Sequence, residues 1–174
     1  ADGNAYNCNL TENKKVKFRG RSGVRVEVIT QSADGKRVVI GYSDGLTEIL
    51  SKDGRLIKSL PGIGAVNFIA VDSEQNLLAV TTTNKRLSLY NLSNLTLLPV
   101  EVKLDRPISA VSYDPQSLNV YIGCSDRTFH KYAVRSSAYI SQLKSKVTRS
   151  LTEEEWTTFM GEDVLYNNSI QSNK

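Results

Sequence analysis

The chain has 174 residues, 40% apolar and 23% charged, with a net charge of +4. That composition fits a folded domain with a core of its own and excludes a disordered or collagen-like chain. A single His and two distant cysteines, Cys8 and Cys124, exclude a Cys/His zinc cluster and a disulfide scaffold.

In chain order, short runs of Val, Ile, Leu and Tyr alternate with turn signals. The runs lie near residues 5–8 and 16–18, then at 24–29, 38–42, 66–71, 77–82, 108–113 and 118–123. Runs of this length, bounded by Asp, Gly, Asn and Ser, are strand signals. Several are apolar almost throughout, which fits strands buried on both faces. A turn pair recurs as Asp2-Gly3, Asp44-Gly45, Asn84-Lys85 and Asp126-Arg127, at spacings of 42, 40 and 42 residues. A second marker, placed on Asp34, Asp72 and Asp114, falls in the middle of each unit. A period near 42 with four strands per unit predicts the blades of a β-propeller. The expected blades are 1–20 (partial), 22–62, 64–105 and 106–134, with thirteen strands in all. The fold class expected is therefore all-β, a partial propeller of about three and a half blades over residues 1–134. Two short helices follow in a tail spanning 135–174. A propeller blade buries its faces against neighbouring blades, so an open arc needs completion. The chain begins at Ala1 without a signal-peptide pattern and reads as a cytoplasmic piece of something longer.

The aligned third-strand segments, residues 2–10, 84–92 and 126–134 with their turns, carry the repeat most clearly. With their preceding turns they resemble the WD-repeat family. Its Trp position is held here by Cys8, Leu50, Tyr90 and Tyr132, and its Asp position by Asn9, Ser51, Asn91 and Ala133. The resemblance covers roughly residues 1–134 and implies a WD-like propeller with degenerate blades.

After the last strand, apolar residues at 139/140, 143 and 147 have helical spacing. Further on, Thr152 and Glu155 form a predicted capping box. Leu151 and Trp156 flank it as a hydrophobic staple, and Trp156 is expected to be mostly buried against a propeller edge. A helix from Glu153 to about Met160 should follow, ended by Gly161. The segment Leu-Thr-x-Glu-Glu-Trp, then Gly161-Glu162-Asp163 and Tyr166, resembles the end of bacterial multidomain WD-repeat proteins. That resemblance implies a regulatory module attached to a caspase-like, TIR or STAND-type NTPase effector.

Catalytic signatures are missing from the sequence: no nucleophile elbow, zincin pair or phosphate-binding loop occurs. His130 reads as a surface or partly buried strand residue, and Cys8 and Cys124 as buried apolar ones. The basic run from Lys14 to Arg21 reads as a charged edge strand in preference to a nucleic-acid groove. The Asp-Gly pairs read as hairpin turns and not as calcium loops. The sequence thus points to a non-catalytic segment with no cofactor, no metal and no membrane contact. Its expected partner is a protein or the remaining half of its own propeller. Candidate contact residues are Tyr42, Asp44, Asn84, Lys85, Asp126 and Arg127, all near the turns that propellers expose at one end. The alternatives are a propeller enzyme with a channel site completed by further blades, or nucleic-acid binding through residues 14–21.

Overall fold

Thirteen strands form four antiparallel sheets among the described residues. The computed structural model describes residues 4–9, 11, 13–72, 74, 77–137, 140 and 152–160. The first sheet holds β1 (Asn4–Asn9) and β2 (Lys14–Gly20). The second runs through β3 (Val26–Gln31), β4 (Arg37–Tyr42), β5 (Thr47–Ser51) and β6 (Leu56–Leu60) in sequence order. The third repeats this with β7 (Val66–Val71), β8 (Leu77–Thr82), β9 (Arg86–Asn91) and β10 (Val100–Lys103). The fourth holds β11 (Ile108–Tyr113), β12 (Asn119–Cys124) and β13 (Phe129–Ala133). Each sheet is an up-and-down meander, and the arrangement is a partial β-propeller.

The repeat is visible in irregularities as well as in pairing. The first strands of the last three sheets all carry a register shift near the same place, between Val26/Val28, Val66/Phe68 and Ile108/Ala110. A shared bulge of this kind bends each inner strand alike. The mid-unit marker needs one correction. Ser32, Asp72 and Asp114 are the structurally equivalent residues, since each N–H donates to the carbonyl that closes the same turn, of Arg37, Leu77 and Asn119. Asp34 lies two residues later and caps its own turn, accepting from Ser32 Oγ at 2.7 Å and the Lys36 N–H at 2.9 Å. The true spacing is 40 and 42 residues, the same as that of the turn pairs.

Three apolar layers lie between successive sheets. Ile40, Tyr42 and Leu50 pack with Ala5 and Phe18 of the first sheet. Val39, Ile49 and Leu60 pack with Val66, Leu78, Val80 and Tyr90 of the third. Ala79 and Leu87 pack with Ile108, Val120, Ile122 and Cys124 of the fourth. Strand geometry explains this: successive side chains point to opposite faces, so β4 and β8 serve the sheet before them and the sheet after them in alternation. That is why residues 38–40 of β4 and 77–80 of β8 are apolar without polar interruption. Gly41 marks the closest approach, because a Cβ there would run into Val66 of the next sheet and Val28 of its own.

Contacts divide the chain into Ala1–Arg135 and Ser136–Lys174. In the second unit, Ser136, Ser137 and Ile140 are helical, and the rest of the first expected tail helix lies outside the described residues. Helix α1 (Glu153–Met160) carries Glu153, Glu154 and Glu155 in its first turn, at the positive end of its dipole. Glu155 Oε2 accepts the Thr152 N–H at 2.9 Å, and Thr152 Oγ1 accepts the Glu155 N–H at 3.2 Å, a reciprocal capping box. Trp156 is part-buried, and the staple partner Leu151 and the terminator Gly161 lie outside the described residues. No described helix is long and apolar enough to cross a membrane.

Candidate interaction surface

The turn pairs that mark the repeat are hairpin ends of one design. The Gly45, Lys85 and Arg127 N–H groups donate to the carbonyls of Tyr42, Thr82 and Cys124, three residues earlier. The second residue of each pair then takes the left-handed region, with φ of 90° at Gly45, 62° at Lys85 and 71° at Arg127. Glycine adopts this freely, whereas Lys and Arg adopt it at a cost. Two cationic side chains, Arg127 exposed and Lys85 partly so, are thus held where glycine is the easier choice.

The first residue of each pair ties its blade to the loop before it. Arg21 Nη1 donates to Asp44 Oδ2 at 2.8 Å. Arg106 Nε lies 3.4 Å from Asp126 Oδ2. Asn84 takes the same place, packed so closely on Gly64 that a Cβ there would strike its side chain. Asp126 also accepts from Thr128 Oγ1 at 2.6 Å and from its N–H at 3.1 Å, and these bonds hold its carboxyl below the usual carboxylate range. Asp44, Asn84, Asp126 and Arg127 are exposed, and Lys85 is partly so, its Nζ donating to the Asp105 carbonyl at 3.1 Å. These five candidates therefore line one end of successive blades on equivalent turns.

Tyr42 is different, and its place among the contact candidates is corrected. It is fully buried, with no surface to offer a partner. Its phenol donates to Glu48 Oε2 at 2.8 Å, and Glu48 in turn receives Arg19 through Nε at 2.8 Å and Nη2 at 2.7 Å. Arg21 covers the Tyr42 ring at 5.0 Å from its centroid. The network spans the first and second sheets. Burial, then the hydrogen bond to Glu48, raises the Tyr42 pKa. The Arg19 hydrogen bond holds Glu48 below the usual carboxylate range against its own burial. Sequence reading missed Arg19–Glu48. A Glu flanked by Thr47 and Ile49 in an otherwise apolar strand was the available signal, since a buried acid requires a partner.

Two consequences are testable by melting and denaturant titration. Tyr42→Phe should cost about 1–2 kcal/mol, because it leaves a buried Glu48 short of one donor. Tyr113→Phe should be neutral or stabilising by up to about 1 kcal/mol, because the Tyr113 hydroxyl is buried with no partner. For Glu48, a folded pKa below the ordinary value of about 4.3 means its contribution is fully present above that pH and is lost as pH falls through the lower folded value. The difference in stability between wild type and Glu48→Gln should therefore be constant from pH 7 to 5 and shrink below pH 4. A difference that grows on acidification would contradict the ion pair.

The basic run is largely spent inside the fold. Arg19 holds Glu48, Arg21 holds Asp44, and Lys15 lies 3.9 Å from the centroid of the Tyr6 ring. His130 is exposed and stacks on Tyr132 at 6.2 Å. Cys124 is buried, but Cys8 is exposed, a correction to its expected burial. Cys8 lines an open groove of about 330 Å³ with Tyr6, Phe18 and Ile29, where the two-stranded first sheet leaves it uncovered. Among the described residues no three His, Cys, Asp or Glu side chains gather as a metal site.

No family model matches the sequence, and no curated protein matches it. Solved structures do match. A chain in the crystal structure of the mitotic checkpoint complex superposes with a TM-score of 0.68 at 15% identity, over 78% of this chain and 43% of that one. The β-propeller domain of Cps50 (Swd1) from Myceliophteria thermophila gives 0.55 at 13% identity, over 72% of this chain and 45% of that one. At these identities the likeness shows the fold, a β-propeller, and the chain spans less than half the length of either match.

Proposed function

We propose that this segment is a non-catalytic protein-interaction scaffold, one part of a larger WD-like propeller. The observation that carries the reading is the row of equivalent turns at one end. Each is tied to the preceding loop, and two of them hold a cation, Arg127 exposed and Lys85 partly so, in a left-handed backbone. A rigid row of exposed polar groups is a contact surface whose ordering cost is met by the fold rather than on binding. Propeller ends are built from such loops. Further blades, in the same protein or a second chain, complete the ring. The tail resemblance favours a bacterial multidomain parent, in which the propeller regulates an effector, in the cytoplasm.

The turns themselves supply the test. Lys85→Gly and Arg127→Gly remove the cations while keeping, and easing, the left-handed turn. In the full-length protein the pair should leave the melting temperature unchanged or slightly raised. Capture of a purified partner, measured by titration, should fall about tenfold or more, as expected for loss of two charged contacts. Unchanged partner affinity would remove these turns from the interface.

A further inference from the structure

Between the second and third sheets lies a pocket of about 280 Å³, lined by Leu60, Pro61, Val80, Thr82, Tyr90 and Glu101. The repeat explains why it is open. Tyr42 and Thr82 are equivalent residues, paired across their sheets with Val26 and Val66. Glu48 and Ser88 are likewise equivalent, opposite Ile40 and Val80. Arg19 and Leu60 are equivalent as well, opposite Ala5 and Thr47. In the wedge between the first and second sheets, the Tyr42 ring, Glu48 and Arg19 fill the space and satisfy one another. One wedge later the same three positions hold Thr82, Ser88 and Leu60, which are smaller and supply neither ring nor charge.

The remaining groups show what is missing. Thr82 is 4% exposed, and its Oγ1 is buried with no hydrogen-bond partner. Glu101 accepts Arg86 on Oε2 at 2.8 Å, while Oε1 has only a long 3.4 Å contact from Ser88 Oγ. Glu101 disfavours an incoming carboxylate and Arg86 an incoming cation. A neutral group with an apolar body and one O–H donor meets both conditions, and Tyr42 meets them in the wedge before.

We propose that this pocket receives a tyrosine side chain from an extended segment of a protein partner. Its ring packs on Leu60, Val80 and Tyr90, and its phenol donates to Glu101, as Tyr42 does to Glu48. This deepens the interaction reading above and rests on it, but names a pocket beside the turns, with Gly45 and Arg86 in its lining and neither Lys85 nor Arg127.

The test uses p-cresol, the tyrosine side chain alone, titrated against the full-length protein by ligand-observed NMR, with toluene as the analogue lacking the hydroxyl. Binding of p-cresol should exceed that of toluene about tenfold, the worth of one charge-assisted hydrogen bond. Thr82→Tyr should fill the pocket from within and abolish p-cresol binding. Glu101→Gln, at a half-exposed edge-strand position, should weaken p-cresol several-fold while leaving toluene unchanged. No p-cresol binding, equal binding of toluene, or p-cresol binding that survives Thr82→Tyr would overturn the proposal. Should Thr82→Tyr fail to fold, Glu101→Gln decides alone, and unchanged p-cresol affinity there would overturn it. The turn variants Lys85→Gly and Arg127→Gly lie outside the pocket lining, so partner loss there without p-cresol binding defeats the pocket and spares the interaction surface.

Discussion

Arg135→Ala should cost about 3 kcal/mol of stability. Arg135 is the last residue of the propeller unit. Its Nη2 donates to Asp72 Oδ2 at 2.7 Å and to Glu74 Oε2 at 2.8 Å, and its Nε donates to the Ser117 carbonyl at 3.2 Å. Asp72 and Glu74 follow β7 in the third sheet, and Ser117 lies in the turn before β12 in the fourth. One guanidinium therefore clasps two blades and fixes where the chain leaves the last of them. The Asp72 side chain is 0% exposed, so losing Arg135 takes the ion-pair partner from a desolvated carboxylate, which also accepts the Leu77 N–H at 3.1 Å. Stripping one partner from a buried pair costs about 3–5 kcal/mol, and the lower end applies because Arg135 itself keeps 27% of its surface. Denaturant midpoints measure the loss. Asp72→Asn keeps the acceptor for Leu77 and removes the charge, so it should cost less. The double variant should cost well under the sum, with a coupling of about 1 kcal/mol or more. Additive losses would mean that Asp72 and Arg135 do not depend on each other.

The clasp shows where sequence reading stops. Architecture was legible because it is written in local chemistry. Turn pairs at 42, 40 and 42 residues, with runs such as Val38–Tyr42 between them, imply blades, since only a strand covered on both faces lacks polar alternation. The capping box at Thr152 and Glu155 was legible for the same reason, as both partners lie within one helical turn. The ionic ties were not. Arg19 reaches Glu48 across 29 residues, and Arg135 reaches Asp72 across 63. Nothing in a strand's periodicity says which neighbour its charged residue will meet. Tyr42 fell on this boundary. It sits beside a turn, which suggested exposure, but as the last residue of β4 its side chain belongs to the face packed on the first sheet. The pocket beside Thr82 needed both sources, the repeat to name the equivalent positions and the fold to show that their contents differ.

Expressed alone, the 174-residue chain should not run as a monodisperse 19.3 kDa monomer in light scattering, but as larger, self-associating species. The reason lies at the two ends of the arc. Among the described residues the first sheet has two strands and the fourth has three, so β1 and β13 each leave one edge of N–H and C=O groups without a sheet partner. Such edges recruit other strands. The faces tell the same story. Gly41 and Gly123 hold equivalent places in β4 and β12, opposite the shared bulges. At Gly41 the next sheet presses Val66 into the space a Cβ would take, whereas at Gly123 the nearest atoms are those of Ser109 and Ala110 in its own sheet, at 3.4 Å or more. Phe129, directly across from Gly123, is 72% exposed. The fourth sheet thus presents the face of an inner blade with no following blade on it. Two closures satisfy these ends: further blades of the same propeller, or a second copy meeting edge to edge and face to face. We favour further blades, because a pair of arcs must match blade spacing at two seams at once, and both matched structures are more than twice as long as the segment they share with this chain. Adding the remaining blades in one polypeptide should then restore a cooperative, monodisperse species. A defined dimer of the isolated chain with a single sharp unfolding transition would instead select the paired arc, and a stable monomer would mean that these edges and faces are covered in a way neither closure provides.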